Sequence, residues 1–311
     1  MQKEKILIGN QYQLRRKIGQ GNCGDVYVAV DTKAKIADKL VAVKFARGFR
    51  LEDESKRYNA FYKEYQSQHR QTRNTREIKG IPKMLYSGSD FQVFFFIVYD
   101  LLGPTLEDLF RFCNSKFTKH TTFQLGLQIL DRLRVLHTTG FTHGSIKPQN
   151  ITMGLESFHA TVFLIDFGSL QPIAHPKDHS STTIWKSVHR YDEQVHTIRD
   201  DLVSWLYVLA YFIHGSLIWD LESKVLQKKL ESIPNTKEAI WHIKTHDCAK
   251  WMQSLHLGPL WNYVGNLDAF EVPNYKRIKD LLLDGIRKCS KEEKQFQFDW
   301  DAFRALKSKP K

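Results

Sequence analysis

The sequence contains 311 residues, of which 42% are hydrophobic and 26% are charged, and its formal net charge at pH 7 is +12. These proportions are typical of a globular protein with one large domain or two lobes, and they exclude a chain dominated by disorder or low-complexity sequence. The positive charge favours acidic partners in general. The basic residues are spread along the chain without a base-stacking motif, so no specific nucleic-acid site is predicted.

Cysteine spacing and hydropathy indicate an intracellular protein. The four cysteines are widely separated and form no C-x-x-C pair, which argues against a disulfide framework and against a zinc site. They are Cys23, Cys113, Cys248 and Cys289. The N-terminus lacks the apolar run of a signal peptide, and polar residues interrupt the apolar stretch 202–219, which is therefore predicted to be a buried helix rather than a membrane span. We expect a cytoplasmic or nuclear monomer that does not enter a membrane.

The first hundred residues are predicted to be rich in antiparallel strands, because short apolar runs alternate there with glycine and charged residues. One charged, helix-favouring stretch interrupts them, from Leu51 to about Arg76. The predicted strands are 12–19 (YQLRRKIG), 25–30 (DVYVAV), 40–45 (LVAVKF), 83–89 (KMLYSGS) and 92–102 (QVFFFIVYDLL).

After Gly103 and Pro104 the pattern changes to helical periodicity. Thr105, followed three residues later by Asp108, resembles a capping box at a helix start. The run 122–140 repeats apolar residues at three-to-four spacing and stops at a glycine, which predicts a helix. The rest of the chain is predicted to be mainly helical. Two short strands, 150–154 and 162–168, are the predicted exceptions.

Three glycines, Gly19, Gly21 and Gly24, lie between the first two predicted strands. Glycines at this spacing let backbone amides approach phosphate groups closely. A dinucleotide-binding fold would need a helix directly after the third glycine, whereas the next segment reads as a strand, so a glycine-rich flap of the kinase type fits better. An ordinary hairpin with a bulge is the alternative reading.

Charged residues downstream of the glycines complete a nucleotide-binding pattern. Lys44 lies on the strand after the flap, where an ammonium group is placed to reach phosphates. Glu64 in the following helix is predicted to pair with it, with Glu52 and Glu54 as competitors. Asp166 ends an apolar strand in the triplet Asp-Phe-Gly.

Divalent-metal ligands are also predicted from this order of residues. A carboxylate in the position of Asp166 binds a cation that bridges nucleotide phosphates, and Asn150 offers a second ligand. An Asp-Phe-Gly triplet is common by chance, but one that follows Asn150 by sixteen residues and has these partners in this order is not. ATP and Mg²⁺ are therefore the predicted cofactors.

Longer motifs resemble the casein kinase 1 group of protein kinases over nearly the whole chain, from about Tyr12 to Phe303. The most specific match is YDLLGPTLEDLF, which is similar to the hinge and following helix of that group. The other matching segments are IGQGNCGDVYVA (18–29), IKPQN (146–150), RDDLVSWLYVLAYFIHGSLIW (199–219) and FDWDAF (298–303).

This resemblance implies an α+β, bilobal protein kinase-like fold, with a strand-rich N-lobe containing one main helix and a helical C-lobe. The implied organisation is an N-terminal extension at 1–11, a kinase-like domain at 12–303 and a short basic tail at 304–311. Within the domain, the N-lobe spans about 12–99, the hinge about 100–104 and the C-lobe about 105–303.

The resemblance also assigns roles to single residues. Tyr99 is implied to be the gatekeeper beside the adenine pocket, and the backbone of Leu102 to bind adenine. Lys147 is implied to lie near the transferred phosphate. Structural roles fall to His143 in the catalytic loop, to Gly168 of the Asp-Phe-Gly triplet and to Asp201, which resembles the residue that braces that loop from below.

The catalytic loop departs from the family pattern. Ser145 stands where the family has the aspartate that orients and deprotonates the acceptor hydroxyl, and Gly144 stands where it has an arginine. The activation segment between Gly168 and Arg199 is shorter than is usual. Ile184 replaces an arginine that resembles part of the pocket reading acidic or phosphorylated substrates, with Lys186 as a nearby substitute.

These departures leave three hypotheses open. The first is a nucleotide-binding pseudokinase that acts as a scaffold or regulator of a protein partner, because a serine hydroxyl is not a competent base near neutral pH. The second is a weak serine/threonine kinase, because positioning and metal electrostatics dominate phosphoryl transfer. The third is an interaction module that binds no nucleotide.

Overall fold

The structure of the protein is a computed structural model. The structure describes residues 7–21, 24–47, 50–69, 77–90, 94–173, 184–191, 195–289 and 297–301. The chain divides into two compact units. The first comprises Met1–Gly103 and Thr152–Leu170, and the second comprises Pro104–Ile151 and Gln171–Lys311.

Several sequence predictions concern residues outside the described ranges. They are Cys23, most of the predicted extension at 1–11, the helix continuation and basic cluster at 70–76, the activation-segment residues 174–183 and the basic tail at 304–311.

The first unit contains a six-stranded antiparallel sheet with the order β1-β2-β3-β4-β6-β5. The strands are β1 (Leu7–Ile8), β2 (Tyr12–Gly21), β3 (Gly24–Asp31), β4 (Leu40–Arg47), β5 (Met84–Asp90) and β6 (Phe94–Asp100). The predicted strands of this region are thus present. Strand β1 was not predicted, and it pairs with β2 at the edge of the sheet.

Alternation along the strands gives the sheet two different faces. Successive side chains of a strand point to opposite faces. On one face, a buried apolar cluster lies across the sheet; its members are Tyr12, Ala29, Val41, Val43, Phe96 and Val98. The other face carries Lys44 of β4, which is offset by one position from the apolar residues of the same strand.

One helix, α1 (Arg50–Gln68), packs against β4, β5 and β6. Its buried positions recur at three-to-four spacing, which gives the helix one inward face. They are Leu51, Glu54, Ser55, Tyr58 and Phe61. Glu54 lies on this face, so its carboxylate is in the interior of the first unit.

The segment Thr152–Leu170 also packs within the first unit, although the boundary drawn from the sequence assigned it to the C-lobe. It contains most of β8 (Ile151–Met153) and all of β9 (Val162–Leu164), which pair with each other. The backbone N–H of Gly103 donates to the carbonyl of Met153 at 2.8 Å. A Cβ atom on Gly103 would lie 2.8 Å from the Gly154 carbonyl oxygen, so this close approach requires glycine.

The second unit is helical. Its helices are α2 (Leu106–Phe112), α3 (Lys119–Thr138), α4 (Ile198–His214), α5 (Lys224–Leu230), α6 (Thr236–His246), α7 (Cys248–Ser254), α8 (Gly258–Val264) and α9 (Tyr275–Cys289). The short strands β7 (Phe141–Thr142) and β10 (Gln171–Pro172) pair with each other. The predicted α+β class, with a curled antiparallel sheet in one lobe and helices in the other, is confirmed.

Helix α4 forms the centre of the second unit. Fourteen of its side chains are buried, because it is apolar on nearly all sides. It packs against α3 and α8. The buried helix predicted for 202–219 is present from Ile198 to His214, but Gly215, with φ +105°, ends it before residue 219. Among the described residues, no helix has the length and hydropathy needed to cross a membrane.

Capping residues fix two helix starts in the second unit. Thr105 and Asp108 form the predicted capping box at α2, and Thr197 and Asp200 form another at α4. In both boxes, the side chains satisfy backbone N–H groups that have no partner within the helix.

Candidate active site

Lys44 lies at the centre of the sheet in the first unit. Its register partners are Val26 on β3 and Ile97 on β6, and Val26 is in turn opposite Gly19 on β2. Gly19 on β2, Val26 on β3 and Lys44 on β4 therefore lie in one row across the sheet. Lys44 is 9% exposed, so its charge needs compensation from neighbouring side chains.

Two carboxylates provide this compensation. The Lys44 Nζ atom donates to Glu54 Oε2 at 2.6 Å and to Asp166 Oδ1 at 2.8 Å. Glu54 comes from α1 and is 1% exposed, whereas Asp166 comes from the segment after β9. A strand, a helix and a turn of the first unit thus meet at one ammonium group.

The glutamate in this contact corrects the sequence prediction, which assigned the pairing to Glu64. Glu64 lies ten residues beyond Glu54 on the same helix, which rotates its side chain by about 80° around the axis at about 100° per residue. It is exposed and accepts a hydrogen bond from Gln68. The buried periodicity of α1 was the available signal, since Glu54 lies on the apolar face and Glu64 does not.

The electrostatics of the trio favour a charged lysine. Burial alone would lower the pKa of Lys44, but Asp166 and Glu54 outweigh this effect and raise it above its ordinary value. Burial raises the pKa of the Glu54 carboxyl group, and the nearby ammonium group opposes that rise. Lys44 therefore remains a cation throughout the physiological pH range.

Asp166 adopts an unusual backbone conformation, with φ 67° and ψ 77°. The next residues, Phe167–Ser169, form a single 3₁₀ turn. Phe167 is fully buried, and its ring lies 5.3 Å from that of Tyr58 on α1. A guanidinium nitrogen of Arg57 donates to the carbonyl oxygen of Gly168. Neither Arg57 nor Tyr58 was singled out from the sequence.

The glycine hairpin is tightly apposed to β4. Gly24 has φ +124°, and a Cβ atom there would lie 2.5 Å from the backbone oxygen of Phe45. Only glycine fits this position without displacing the strand. Gly21 pairs with Gly24 at the end of the hairpin, and Gly19 pairs with Val26.

Tyr99 lies near the end of β6, and Leu102 follows that strand. The Tyr99 hydroxyl group donates to Glu54 Oε1 at 3.4 Å, and burial raises the pKa of this phenol well above its ordinary value. Its ring lies 6.0 Å from that of Tyr58. Leu102 is half-buried, two residues beyond the end of β6.

In the second unit, Asp201 on α4 organises the loop that begins at His143. Asp201 accepts from the backbone N–H of His143 at 2.6 Å and from that of Gly144 at 2.9 Å. Gly144 has φ +76°, a conformation in which a side chain would be strained. The guanidinium of Arg190 donates to the Gly144 carbonyl at 3.4 Å.

Two histidines that the sequence did not single out also contact Asp201. His137 Nε2 lies 3.1 Å and His196 Nε2 lies 3.4 Å from its carboxylate oxygens, and all three side chains are buried. Burial alone would raise the pKa of Asp201, but hydrogen bonds from both histidines hold it well below its ordinary value. The carboxylate is therefore a fixed anion beneath the loop.

Ser145 and Asn150 contact each other within this loop. The amide nitrogen of Asn150 donates to the Ser145 carbonyl at 2.9 Å and to its hydroxyl oxygen at 3.0 Å. Because the amide N–H₂ group is engaged in this way, the Asn150 carbonyl oxygen is the atom suited to a hard cation. Lys147 is half-buried at the start of the 3₁₀ turn Pro148–Asn150.

Ile184 and Lys186 are held through their main chains. Lys244 Nζ on α6 donates to the Ile184 carbonyl at 2.9 Å and to the Lys186 carbonyl at 2.6 Å. The Lys186 side chain is buried, with its ammonium group 5.7 Å from the ring centroid of Tyr191.

A buried lysine between two carboxylates on a curled antiparallel sheet, combined with a helical second unit, is characteristic of the protein kinase-like class of folds. A family model, described as the protein kinase domain, matches residues 12–294 of the sequence. The chain belongs to this family. Protein kinase domains generally use ATP and Mg²⁺ and bind a protein substrate.

The charged residues of the first unit have the chemistry that suits a magnesium–nucleotide complex. Mg²⁺ is commonly held by one or two protein oxygens together with substrate phosphates. In the first unit, Asp166 offers a carboxylate and Lys44 offers a cation for phosphate. In the second unit, described by itself, Asn150 has an amide oxygen of the same chemical type. The described residues contain no group of three or more His, Cys, Asp or Glu side chains suited to hold a metal without such help.

Proposed function

We propose that this chain is a casein kinase 1-like domain that binds ATP and Mg²⁺ but is impaired in phosphoryl transfer, and that it acts as a scaffold or regulator of a protein partner. The observation that carries the proposal is a contrast between two sets of residues. Lys44, Glu54 and Asp166 form a complete ion-paired trio, whereas the predicted position of the base is occupied by Ser145.

Each residue has a defined chemical task in this proposal. Bound Mg²⁺ would neutralise phosphate charge and polarise the phosphate to be transferred. Lys44 contributes a fixed positive charge to the phosphates, and Glu54 keeps the lysine side chain extended from the sheet. Asp166 and Asn150 supply oxygen ligands of the type that Mg²⁺ prefers.

Ser145 supports the proposal of impaired transfer. A positioned general base accelerates a reaction by about 10²–10⁴-fold, and a serine hydroxyl group cannot take up a proton near neutral pH. No aspartate or glutamate lies between His143 and Asn150 to take over this task. In addition, the Ser145 hydroxyl oxygen accepts a hydrogen bond from Asn150, which orients it towards that amide.

A weak kinase is the second candidate, favoured by the intact trio around Lys44 and by the presence of Lys147. Phosphoryl transfer passes through a loose transition state, in which positioning and electrostatic stabilisation contribute most of the acceleration. In this alternative, a residual transfer rate is carried by Lys44, Lys147, Asn150 and Asp166. The two candidates share nucleotide binding and differ in turnover.

The test is to measure ATP binding and phosphate transfer on the same preparation. Melting temperature and ATP affinity are recorded with and without Mg²⁺, and transfer of the γ-phosphate to an acidic protein substrate is followed in parallel. The proposal predicts a Mg²⁺-dependent rise in melting temperature, loss of that rise in Lys44→Met, and no transfer above that of Lys44→Met. Transfer that depends on Lys44 would favour the weak kinase.

The remaining outcome of this experiment is a melting temperature that is unchanged at millimolar Mg-ATP. That result would contradict both nucleotide-binding candidates and would favour an interaction module that binds no nucleotide. Lys63→Met is the matched control, because it removes an exposed lysine from the same unit. It should leave the melting shift unchanged.

A further inference from the structure

Each residue of the Asp166-Phe167-Gly168 triplet is held by a different contact from β4 or α1. Lys44 binds the Asp166 carboxylate at 2.8 Å. The Tyr58 ring packs edge-on against Phe167, with the ring centroids 5.3 Å apart. Arg57, next to Tyr58 on the helix, donates from its guanidinium to the Gly168 carbonyl. The third contact is not explained by nucleotide chemistry, since Arg57 donates to a main-chain carbonyl and not to the Asp166 carboxylate.

The backbone of this triplet requires such support. Asp166 is a non-glycine residue with φ +67°, in the left-handed region that side chains normally avoid. Strained conformations of this kind persist only where the surrounding structure over-determines them. The Gly168 carbonyl is two residues from the Asp166 carboxylate, so a donor fixed at Gly168 restricts the torsions that orient the carboxylate.

Helix α1 is anchored well enough to serve as a support. The Ser55 hydroxyl group donates to the Ser87 hydroxyl on β5 at 2.8 Å. The Tyr58 hydroxyl group donates to the Pro82 carbonyl at 2.8 Å and accepts from the Met84 N–H at 3.3 Å. Arg57 lies between these two anchoring residues in the sequence, so its backbone is fixed even though its side chain is exposed.

We propose that Arg57 is a positioning residue for the metal-binding carboxylate: by binding the Gly168 carbonyl, it holds Asp166 in the left-handed conformation that aims its side chain at Lys44. This inference rests on the proposed nucleotide function. The contact needs no phosphorylated residue, because both partners belong to the first unit and are present in the unmodified chain. The contact therefore does not depend on phosphorylation of the chain.

The experiment compares wild type with Arg57→Gln, which removes the charge and the guanidinium fork but keeps a polar side chain. ATP affinity is measured with Mg²⁺ and with EDTA at matched ionic strength. We expect Arg57→Gln to weaken Mg-ATP binding by roughly fivefold or more, since it removes a hydrogen bond from a charged donor. Binding of metal-free ATP should change by less than about twofold, because Arg57 positions the metal ligand rather than the nucleotide.

Lys56→Gln is the matched control. Lys56 is the adjacent exposed residue on α1, carries the same charge, and pairs with Glu52 rather than with the triplet. It should alter both affinities by less than about twofold, the range expected for loss of an exposed ion pair. Equal effects of Arg57→Gln and Lys56→Gln would overturn the proposal, because helix charge alone would then explain the result.

A second readout uses the protein without nucleotide. The Leu170 N–H donates to the Phe167 carbonyl at 3.0 Å, so hydrogen exchange at this amide reports the order of the triplet. Arg57→Gln should accelerate exchange there, while Lys56→Gln should not. Unchanged exchange in Arg57→Gln would refute the positioning role even if wild type failed to bind Mg-ATP, a failure that would count against the proposed function instead.

Discussion

The buried carboxylate of Glu54 helps to fix the position and the charge of Lys44. It lies on the inward face of α1, is 1% exposed, and reaches Lys44 at 2.6 Å and the Tyr99 hydroxyl group at 3.4 Å. A hydrogen bond to a charged group contributes about 1.5–3 kcal/mol, and leaving a buried charge without its partner costs more. The position of the Lys44 ammonium group therefore depends on this glutamate.

Replacement of Glu54 by glutamine should weaken nucleotide binding. Glutamine keeps the size of the side chain but removes its negative charge, so Lys44 is left with Asp166 as its one carboxylate partner among the described contacts. We expect Glu54→Gln to reduce Mg-ATP affinity by about tenfold, corresponding to about 1.4 kcal/mol. Titration calorimetry at fixed ionic strength measures this change.

Glu64→Gln provides the control for that experiment. It makes the same chemical change on the same helix at an exposed position, where Glu64 contacts Gln68. It should change the affinity by less than about twofold. If Glu64→Gln weakened binding as much as Glu54→Gln, the account of the lysine pair would be wrong.

The sequence predicted Lys44 and Asp166 more readily than Glu54. Each is a charged residue on or next to an apolar strand. An unpaired charge there would be costly, so such a residue indicates that a partner or a ligand lies nearby. Helix α1 offers several glutamates, and the choice among them depends on which face is buried. That choice follows from side chains such as Leu51, Tyr58 and Phe61, whose burial the structure reveals.

At the scale of single elements, a buried lysine of α6 holds the segment 184–186 by hydrogen bonds to its main chain. Lys244 is 1% exposed, donates to two backbone carbonyls, and lies 5.0 Å from the ring centroids of Tyr207 and Trp219. Among the described ion pairs, none involves Lys244. Burial lowers its pKa from 10.5 to about 7.

This shift predicts a specific pH dependence of stability. Between pH 7 and 10.5 the unfolded chain binds a proton at Lys244 that the folded protein does not, so stability rises with pH in this window. The contribution is fully present above 10.5 and is lost as the pH falls through about 7. The stability of wild type relative to Lys244→Met should therefore rise by up to about 1.4 kcal/mol per pH unit.

Chemical denaturation measures the difference in unfolding free energy between wild type and Lys244→Met. It is carried out at pH 7.5, 8.5 and 9.5, roughly the range in which the folded and unfolded proteins differ in protonation of Lys244. Lys250→Met on α7 replaces an exposed lysine in the same unit and is the control. Its stability relative to wild type should show little change with pH. A pH-independent difference for Lys244→Met would show that this lysine is protonated in the folded protein and would contradict the account.

The start of α3 depends on a distant residue near the end of the described chain. Asp299 accepts from the Thr118 N–H at 2.6 Å and from the Thr118 hydroxyl group at 2.9 Å. Its own N–H donates to the Thr121 hydroxyl group at 3.2 Å. Trp300, next to it, packs 5.5 Å from the ring of Phe117. The segment that contains Asp299 and Trp300 therefore stabilises the start of α3 and packs against the ring of Phe117.

Asp299→Asn should destabilise the protein by about 1 kcal/mol, the usual cost of losing a helix-capping interaction. The amide keeps one acceptor oxygen but loses the charge that strengthens both hydrogen bonds from Thr118. Urea denaturation measures the change. Asp301→Asn is the matched control, since the side chain of Asp301 makes none of these contacts; equal losses in the two variants would contradict the capping role.

The elements themselves were largely predictable, and their ends were less so. Helices α3 and α4 follow from apolar periodicity, and α2 from its capping box. Strand β1 has two residues and no alternating pattern, so the sequence carried no signal for it. The predicted strand 162–168 ends at Leu164, because Asp166 turns into the left-handed region and the triplet forms a 3₁₀ turn instead.

At the scale of the whole molecule, the protein kinase family match over residues 12–294 and the α+β architecture agree. The family could be recognised from the sequence because its long motifs combine strands, turns and charged residues in a fixed order. The backbone torsions of Asp166 and Gly144 and the cluster of His137 and His196 around Asp201 were not readable. These features arise from contacts between residues far apart in the chain.

The central claim is that nucleotide and metal binding are retained while the residue facing the acceptor hydroxyl group has lost its basic function. Ser145→Asp tests it most directly. Transfer of the γ-phosphate to an acidic protein substrate is measured in wild type, in Ser145→Asp, in Asp166→Asn and in the double variant Ser145→Asp with Asp166→Asn. We predict that Ser145→Asp raises the transfer rate by about 10²–10⁴-fold and that the double variant abolishes the gain. Wild-type turnover that equals that of Ser145→Asp and disappears in Asp166→Asn would contradict the claim.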